Sequence, residues 1–180
     1  MMTKTLPSFN VKIIPLFILA AALLCAMTGT SKASDPELLS THNDWSAYMF
    51  KENGNKVCYM ASAPRKAEGD YTKRGEIYAL ITHRPSEDSK DVFSYITGYS
   101  YKPNSNVKVT IGGKEFVLFT QEDTAWAPDS ETDEKLADAI RRGNTMIVRG
   151  TSSRGTKTKD TFSLRGSSAA YDAISKECGV

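Results

Sequence analysis

Residues 107–120 read VKVTIGGKEFVLFT, and this stretch decides the fold class. From Val107 to Ile111 every second residue is apolar, the alternation of a strand with one buried face. Gly112 and Gly113 then supply a two-residue turn, after which the chain returns as a second run rich in β-branched and aromatic residues. The stretch therefore predicts an antiparallel β-hairpin.

A second hairpin is predicted around Asn53 and Gly54, the strongest short turn signal in the chain. In its return strand both faces are mostly apolar, so we expect that strand near the centre of a sheet. Further strand-like runs separated by turn signals cover residues 76–83, 92–99, 145–152 and 158–164. This pattern favours an antiparallel β-sandwich or barrel. We expect a frayed segment at residues 34–43 and a charged loop at residues 63–75.

Two helices are predicted. Ser130 and Asp133 resemble a capping box at the start of the first helix, and Gly143 suits a left-handed position after its end. The second helix is expected at residues 168–176, near the C-terminus. There a spacing of four places Ala170, Ile174 and Cys178 on one face.

The N-terminus has the three parts of a secretory signal peptide. Lys4 and Lys12 form a basic start, residues 13–27 are almost entirely apolar, and small residues precede a cleavage site after Ala33. We therefore expect residues 1–33 to be removed and residues 34–180 to form a single domain.

The N-terminus has two alternative interpretations, a membrane-spanning helix and a lipoprotein anchor. A membrane-spanning helix needs about 20 apolar residues, whereas this run is shorter and contains Pro15. A lipoprotein acylated at Cys25 would need a small residue before that cysteine, and Leu24 occupies the position. We accordingly expect a mature form without a transmembrane span.

Net charge and cysteine content limit what the mature domain can be. The formal charge of +2 belongs to the precursor, because the signal segment holds three lysines and no acid. Its loss leaves a net charge of −1, which does not indicate a nucleic-acid partner. Cys58 and Cys178 are the two remaining cysteines, and in an oxidising compartment they imply one disulfide. The alternative is a pair of unpaired buried thiols.

No catalytic, metal or cofactor motif stands out. A Ser-His-Asp hydrolase would depend on His83, which we expect instead to be a surface histidine at a strand end. A glycosidase would need convergent acids such as Glu122 and Asp123 beside Trp126. The competing interpretation is a solvated turn, with Trp126 as a core anchor. No cofactor and no enzymatic activity are therefore expected.

Charge patterning is the one surface feature that suggests a partner. Residues 122–138 carry a net charge of −6, and residues 141–165 carry a net charge of +6. The candidate contacts for an anionic partner are the cations of the last predicted hairpin: Arg149, Arg154, Lys157 and Lys159. The alternative is that these cations protect an exposed sheet edge from pairing with other chains.

From residue 45 onward the sequence resembles the invasion-associated locus B family of alphaproteobacteria. The residues that carry the resemblance are Trp45, Cys58, Thr82-His83-Arg84-Pro85, Phe119-Thr120-Gln121, Asp123-Thr124-Ala125-Trp126, Gly143, Met146, Val148, Gly150-Thr151-Ser152, Gly155-Thr156, Phe162-Ser163-Leu164-Arg165-Gly166, Ala169-Ala170-Tyr171, Ile174 and Cys178.

The resemblance implies an immunoglobulin-like antiparallel β-sandwich that is periplasmic, outer-membrane associated or secreted. It also implies a link to host-cell invasion or colonisation, and it transfers no catalytic residues. We expect a non-enzymatic binding protein whose partner is an anionic glycan, lipopolysaccharide or host-surface component. One rival is a periplasmic structural or stress protein without host contact. The other is a hydrolase acting on glycan or cell wall.

Overall fold

Eleven strands, two α-helices and one short 3-10 turn form the part of the chain described by the computed structural model, residues 34–180. The predicted signal peptide lies outside the described residues. The strands are β1 (Glu37–His42), β2 (Trp45–Glu52), β3 (Asn55–Ser62), β4 (Lys66–Gly69), β5 (Tyr78–Arg84), β6 (Ser89–Ile96), β7 (Val107–Ile111), β8 (Lys114–Gln121), β9 (Thr124–Trp126), β10 (Thr145–Thr151) and β11 (Lys157–Ser163). The helices are α1 (Ser130–Arg142) and α2 (Ser167–Cys178), and the 3-10 turn is Pro85–Glu87.

The strands pair antiparallel in the order β1-β2-β3-β5-β6-β9-β8-β7-β10-β11-β4. Strand β8 joins the two halves of this sheet, because it pairs with β7 over residues 114–118 and with β9 over residues 119–121. The halves contact each other across one core: the Trp45 indole N–H donates to the Ser163 carbonyl oxygen at 3.1 Å. The predicted class, a mainly β antiparallel sandwich with an inserted helix and a C-terminal helix, is confirmed.

Both predicted hairpins are present, and positive φ angles explain their turns. Gly112 and Gly113 have φ of 55° and 82°, and Asn53 and Gly54 have φ of 52° and 82°. These are the left-handed conformations that a two-residue hairpin turn requires and that Gly and Asn adopt most readily. Ile111 therefore pairs with Lys114, and the alternation places the apolar residues of β7 in the core.

The core contains side chains from both halves of the sheet and from the two helices. The largest fully buried residues include Trp45, Phe93, Phe162, Leu136 and Ile174. Burying a side chain of this size contributes about 1.5–3 kcal/mol. Strand β3 lies between β2 and β5, which confirms its predicted central position.

Two segments expected to be irregular form edge strands. Residues 37–42, expected to be frayed, pair with β2 as β1. Residues 66–69, expected within a charged loop, pair with β11 as β4. Both expectations were wrong because an edge strand is held by backbone hydrogen bonds on one side and does not need apolar alternation.

The start of α1 differs from the predicted capping box. Its N-cap is Asp129, whose carboxylate accepts the Thr132 N–H at 2.7 Å. Asp133 points into the protein, where its carboxylate accepts the Phe93 N–H at 2.8 Å. The aspartate that sequence spacing assigned to the cap therefore fastens α1 to β6.

Gly143 ends α1, but its backbone is extended, with φ of −84°, so the expected left-handed conformation was wrong. The reason for glycine is space. A Cβ at this position would lie 2.7 Å from an Ile111 methyl carbon and 2.8 Å from a Leu164 methyl carbon. Gly143 thus permits close packing of the helix end on the sheet.

Helix α2 buries Ala170 and Ile174 and carries Cys178 at its end, as the spacing of four predicted. Cys58 and Cys178 form a disulfide with a Cα–Cα distance of 6.0 Å. The bond joins the C-terminal helix to the central strand β3 and closes a loop with a sequence separation of 120.

Replacing Cys58 by Ser and replacing Cys178 by Ser should destabilise the protein equally. A loop of this length corresponds to about 4–5 kcal/mol in the chain-entropy model of disulfide stabilisation. Denaturant unfolding of each single variant and of the double variant measures the loss. Additive losses in the double variant, or free thiols in the oxidised wild type, would contradict the pairing.

Candidate functional site

Cations cluster on the outer surface of β7, β10 and β11. Arg149 in β10 lies directly opposite Lys159 in β11 and Lys108 in β7. Side chains directly opposite each other in antiparallel strands share one face of the sheet. Lys157 follows on the same face, two residues before Lys159. We name these four residues, Lys108, Arg149, Lys157 and Lys159, the basic face.

The alternation of β11 explains why these side chains point outward. Thr158, Asp160 and Phe162 are buried, whereas the residues between them face solvent. Because side chains of a strand alternate between its two faces, burial of the even-numbered residues places Lys157 and Lys159 on the outside. Core packing inside the hairpin therefore creates the basic face outside it.

Only part of the basic face is neutralised by neighbouring acids. The Lys159 ammonium lies 3.2 Å from a Glu68 carboxylate oxygen, and the Lys108 ammonium lies 2.8 Å from Glu115. Within residues 34–180, Arg149 and Lys157 form no ion pair and no side-chain hydrogen bond. Two exposed cations are therefore available to an external anion.

Apolar side chains border the basic face on β8. Val117, opposite Lys108, is 45% exposed, and Phe119 is 46% exposed. Exposed apolar side chains next to cations form an amphipathic surface, which suits partners with both anionic and apolar groups.

The fourth predicted contact, Arg154, is separate from the other three. It belongs to the turn between β10 and β11 and lines a cleft of about 740 Å³. The predicted set is thus divided between the basic face and the cleft. Edge protection does not explain the set, because β4 covers β11 and is itself the edge strand.

A buried ion pair lies behind the cleft. The Arg74 guanidinium donates to both carboxylate oxygens of Asp160, at 2.8 and 2.7 Å, and both side chains are almost fully buried. Arg74 also donates to the Thr97 carbonyl oxygen at 2.7 Å, and the Tyr95 hydroxyl donates to Asp160. We name these four residues the Arg74 cluster; sequence analysis did not identify it.

The electrostatics of the Arg74 cluster favour fixed protonation states. Burial acts to lower the pKa of Arg74, but its hydrogen bonds to Asp160 raise that pKa above its ordinary value. Burial, and secondarily the charge of Asp160, raises the pKa of Tyr95. Arg74 therefore stays charged and Tyr95 stays neutral, which keeps the hydrogen bonds of the cluster in place.

His83 is fully buried, so the expectation of a surface histidine was wrong. Its Nδ1 accepts the Asp91 N–H at 3.1 Å, and its Nε2 lies 3.2 Å from the Ser175 hydroxyl oxygen. Burial lowers the pKa of His83, which favours the neutral ring. With Nδ1 accepting, the proton sits on Nε2 and points at Ser175. His83 cannot then act as a base for that hydroxyl.

The acids considered for a glycosidase do not converge. Glu122 and Asp123 are both exposed in the turn between β8 and β9, and Glu122 has a φ of 55°. This agrees with the alternative of a solvated turn. Trp126, expected as a core anchor, is only half-buried.

Within residues 34–180 no group of histidine, cysteine or acidic side chains is arranged to hold a metal ion. Over the same residues, none of the helices has the length and apolar character needed to cross a membrane.

The family model described as Invasion associated locus B (IalB) protein matches residues 45–175. The chain belongs to this family. No curated protein and no solved structure matched it. Within the invasion-associated locus B match lie the basic face, the cleft and the Arg74 cluster, whereas Cys178 follows the matched span.

Removing one member of the Arg74–Asp160 pair should be strongly destabilising, since it leaves a buried charge without its partner. Arg74→Met should cost about 3–5 kcal/mol of unfolding free energy. The double variant Arg74→Met/Asp160→Leu should be more stable than the sum of the two single changes predicts. Urea unfolding of the complete double-mutant cycle measures this coupling, and purely additive losses would contradict it.

The buried Asp133 carboxyl should make the stability of the protein depend on pH. Burial raises the pKa of its carboxyl to about 6, the hydrogen bond from the Phe93 N–H opposes the shift, and the Asp91 charge adds to it. Folding therefore favours the protonated form of Asp133, which stabilises the folded state. This stabilisation is complete when the pH is below the ordinary pKa of 3.8, and it is lost as the pH rises through about 6. The loss amounts to about 2–3 kcal/mol.

Asp133→Asn keeps an acceptor for Phe93 and removes the titration. Relative to wild type, this variant should gain stability between pH 4 and pH 7, measured by urea unfolding at several pH values. Glu134→Gln, an exposed change in the same helix, is the control and should follow the wild-type profile. If the unfolding free energy of Asp133→Asn varies with pH in parallel with that of wild type, the pKa of the Asp133 carboxyl is not raised.

Proposed function

We propose that this invasion-associated locus B protein is exported to the cell envelope and acts there by binding an anionic partner through its basic face. The observation that carries the proposal is that Arg149 and Lys157 are exposed without acidic partners among residues 34–180. In this role the protein contributes to host-cell invasion or colonisation.

Like charges repel one another within the basic face. Arg149 lies between Lys108 and Lys159 in neighbouring strands, and like charges directly opposite one another are destabilising. A bound anion would relieve this repulsion. Each exposed charge contact contributes only about 0.2–1 kcal/mol. The arrangement therefore favours a partner with many negative charges, such as an acidic glycan or lipopolysaccharide.

The protein is proposed to bind without turnover. His83 has its proton directed at Ser175, and Glu122 and Asp123 lie in an exposed turn. These geometries offer no positioned general base for the two hydrolytic mechanisms considered from the sequence. A binding role needs only the surface charges that are present.

Neutralising the basic face should weaken binding without unfolding the protein. The variant Arg149→Gln/Lys157→Gln/Lys159→Gln loses three exposed cations, and the affinity for a polyanion should fall about tenfold, equivalent to about 1.4 kcal/mol. Affinity for heparin and for lipopolysaccharide vesicles would be measured at several salt concentrations, because exposed charge contacts are screened by salt.

The matched control is Lys51→Gln/Lys90→Gln/Lys176→Gln, which removes the same charge from exposed positions away from the basic face. This control should bind nearly as well as wild type. If the two triple variants lose the same affinity, net charge governs binding and the basic face is not the site. Equal melting temperatures would show that neither variant is unfolded.

Cellular location tests the export part of the proposal. A C-terminally tagged protein is expected to be shortened by removal of residues 1–33 and to be recovered in the envelope fraction. Protease treatment of intact cells, with lysed cells as the control, determines which side of the outer membrane it occupies.

Cleavage on intact cells would favour direct contact with host or glycan. Protection until lysis would favour a periplasmic location and an indirect effect on invasion, as the structural or stress alternative predicts. A cytoplasmic protein with residues 1–33 retained would overturn the export proposal.

A further inference from the structure

The cleft at the end of the β10–β11 hairpin is built from three separate segments. Residues 70–75 and 98–100 form one side, and residues 152–154, 156 and 158 form the other. Its volume of about 740 Å³ lies within the range of small-molecule binding sites. The backbone fixes the sides together, because the Ser153 N–H donates to the Ser100 carbonyl oxygen at 2.8 Å.

The shape of the cleft depends on a close glycine contact. The Gly75 N–H donates to the Gly98 carbonyl oxygen at 2.9 Å. A Cβ on Gly98 would lie 2.5 Å from the Gly75 carbonyl oxygen, and Gly98 has a φ of 72°. Arg74, the residue before Gly75, donates hydrogen bonds to Asp160 and to the Thr97 carbonyl oxygen. The segment that carries Lys73 is therefore positioned before any ligand arrives.

The charges lining the cleft are unevenly balanced. Lys73 and Arg154 line it with exposed side chains that form no ion pair within residues 34–180, and Asp70 is the opposing acid. Arg74 is neutralised by Asp160. A net positive charge of one remains, which favours an anionic ligand.

Hydroxyl groups provide the second part of the lining. The side chains of Ser100, Ser153 and Thr156 make no hydrogen bond within residues 34–180, so each can donate to and accept from a ligand. Tyr71 and Tyr99, both half-buried, add aromatic rings to the lining, and the Arg74 guanidinium lies over each ring, 5.5 and 5.0 Å from the two centroids.

We propose that this cleft binds a short acidic saccharide, with its carboxylate or sulfate group held between Lys73 and Arg154 and its hydroxyls bonded to the serine and threonine side chains. This inference rests on the proposed function and deepens it, because it gives the anionic glycan a shaped site in addition to the basic face. A simple anion such as phosphate would need neither the volume nor the apolar rings. An apolar ligand would leave the charges and hydroxyls without partners.

The test uses trigalacturonate as the probe and isothermal titration calorimetry of the mature protein, residues 34–180. Lys73→Gln/Arg154→Gln removes the two cations of the cleft and should weaken trigalacturonate binding at least about tenfold, since hydrogen bonds to charged groups are strong. The matched control, Lys90→Gln/Lys176→Gln, should bind like wild type. Amide chemical shifts of Gly98 and Ser153 should change on titration.

The outcomes separate this inference from the proposed function. If the Arg149→Gln/Lys157→Gln/Lys159→Gln variant loses heparin binding but keeps trigalacturonate binding, both proposals stand. If trigalacturonate does not bind wild type, or binds the Lys73→Gln/Arg154→Gln variant equally well, the cleft inference is wrong while the basic face remains. If inorganic phosphate binds as tightly as trigalacturonate, the site recognises charge alone and the saccharide assignment is overturned.

Discussion

The ion pair between Arg74 and Asp160 is the constraint on which the β10–β11 hairpin, the cleft and the basic face all depend. Removing two charges from water costs several kcal/mol for each ion, and the pair is favourable only when its hydrogen bonds are satisfied. Here the guanidinium contacts both carboxylate oxygens, the Thr97 carbonyl oxygen and the Tyr95 hydroxyl. Removing one member of such a pair leaves the other charge buried and uncompensated, so each member constrains where the other lies.

The pair specifies the register of β11. A slip of one residue would turn every side chain of the strand to the opposite face. Asp160 would then leave its partner Arg74, and Lys159 would enter the core without a carboxylate. Both changes are costly, so the buried aspartate fixes Lys157 and Lys159 on the outer surface. The position of the basic face is thus a consequence of an interaction inside the core.

The sequence predicts the hairpins well because their signals are local. Gly112-Gly113 and Asn53-Gly54 need only a few neighbouring residues to form a turn, and the alternation beside them assigns the buried face. The disulfide was also predictable, since the expected export left two cysteines. The burial of His83 was not, because the residues that cover it, Tyr171 and Ser175, come from a helix about ninety positions later in the chain.

The candidate site was predictable only in part for the same reason. Arg149, Lys157 and Lys159 follow from charge and alternation within one hairpin. Arg74 gave no signal, since it lies in a segment without periodicity and its partner is 86 residues away. Asp160 did give a signal: it occupies an inward position between Thr158 and Phe162, where a charge requires a partner. The pattern of β11 therefore predicts that Asp160 has a buried cationic partner, but it does not predict that the partner is Arg74.

The β10–β11 turn connects the cleft to the β11 cations of the basic face, which bears on how a polymeric partner would bind. Arg154 lies three residues before Lys157, so an acidic chain that enters the cleft at the turn is held close to the outward cations of β11. Binding at the second site then becomes intramolecular, and the effective concentration raises the overall affinity without any stronger single contact. Each exposed cation alone contributes little. A hairpin that places weak contacts in a row, with one shaped cleft at its end, would therefore favour the long anionic partner proposed above over isolated anions.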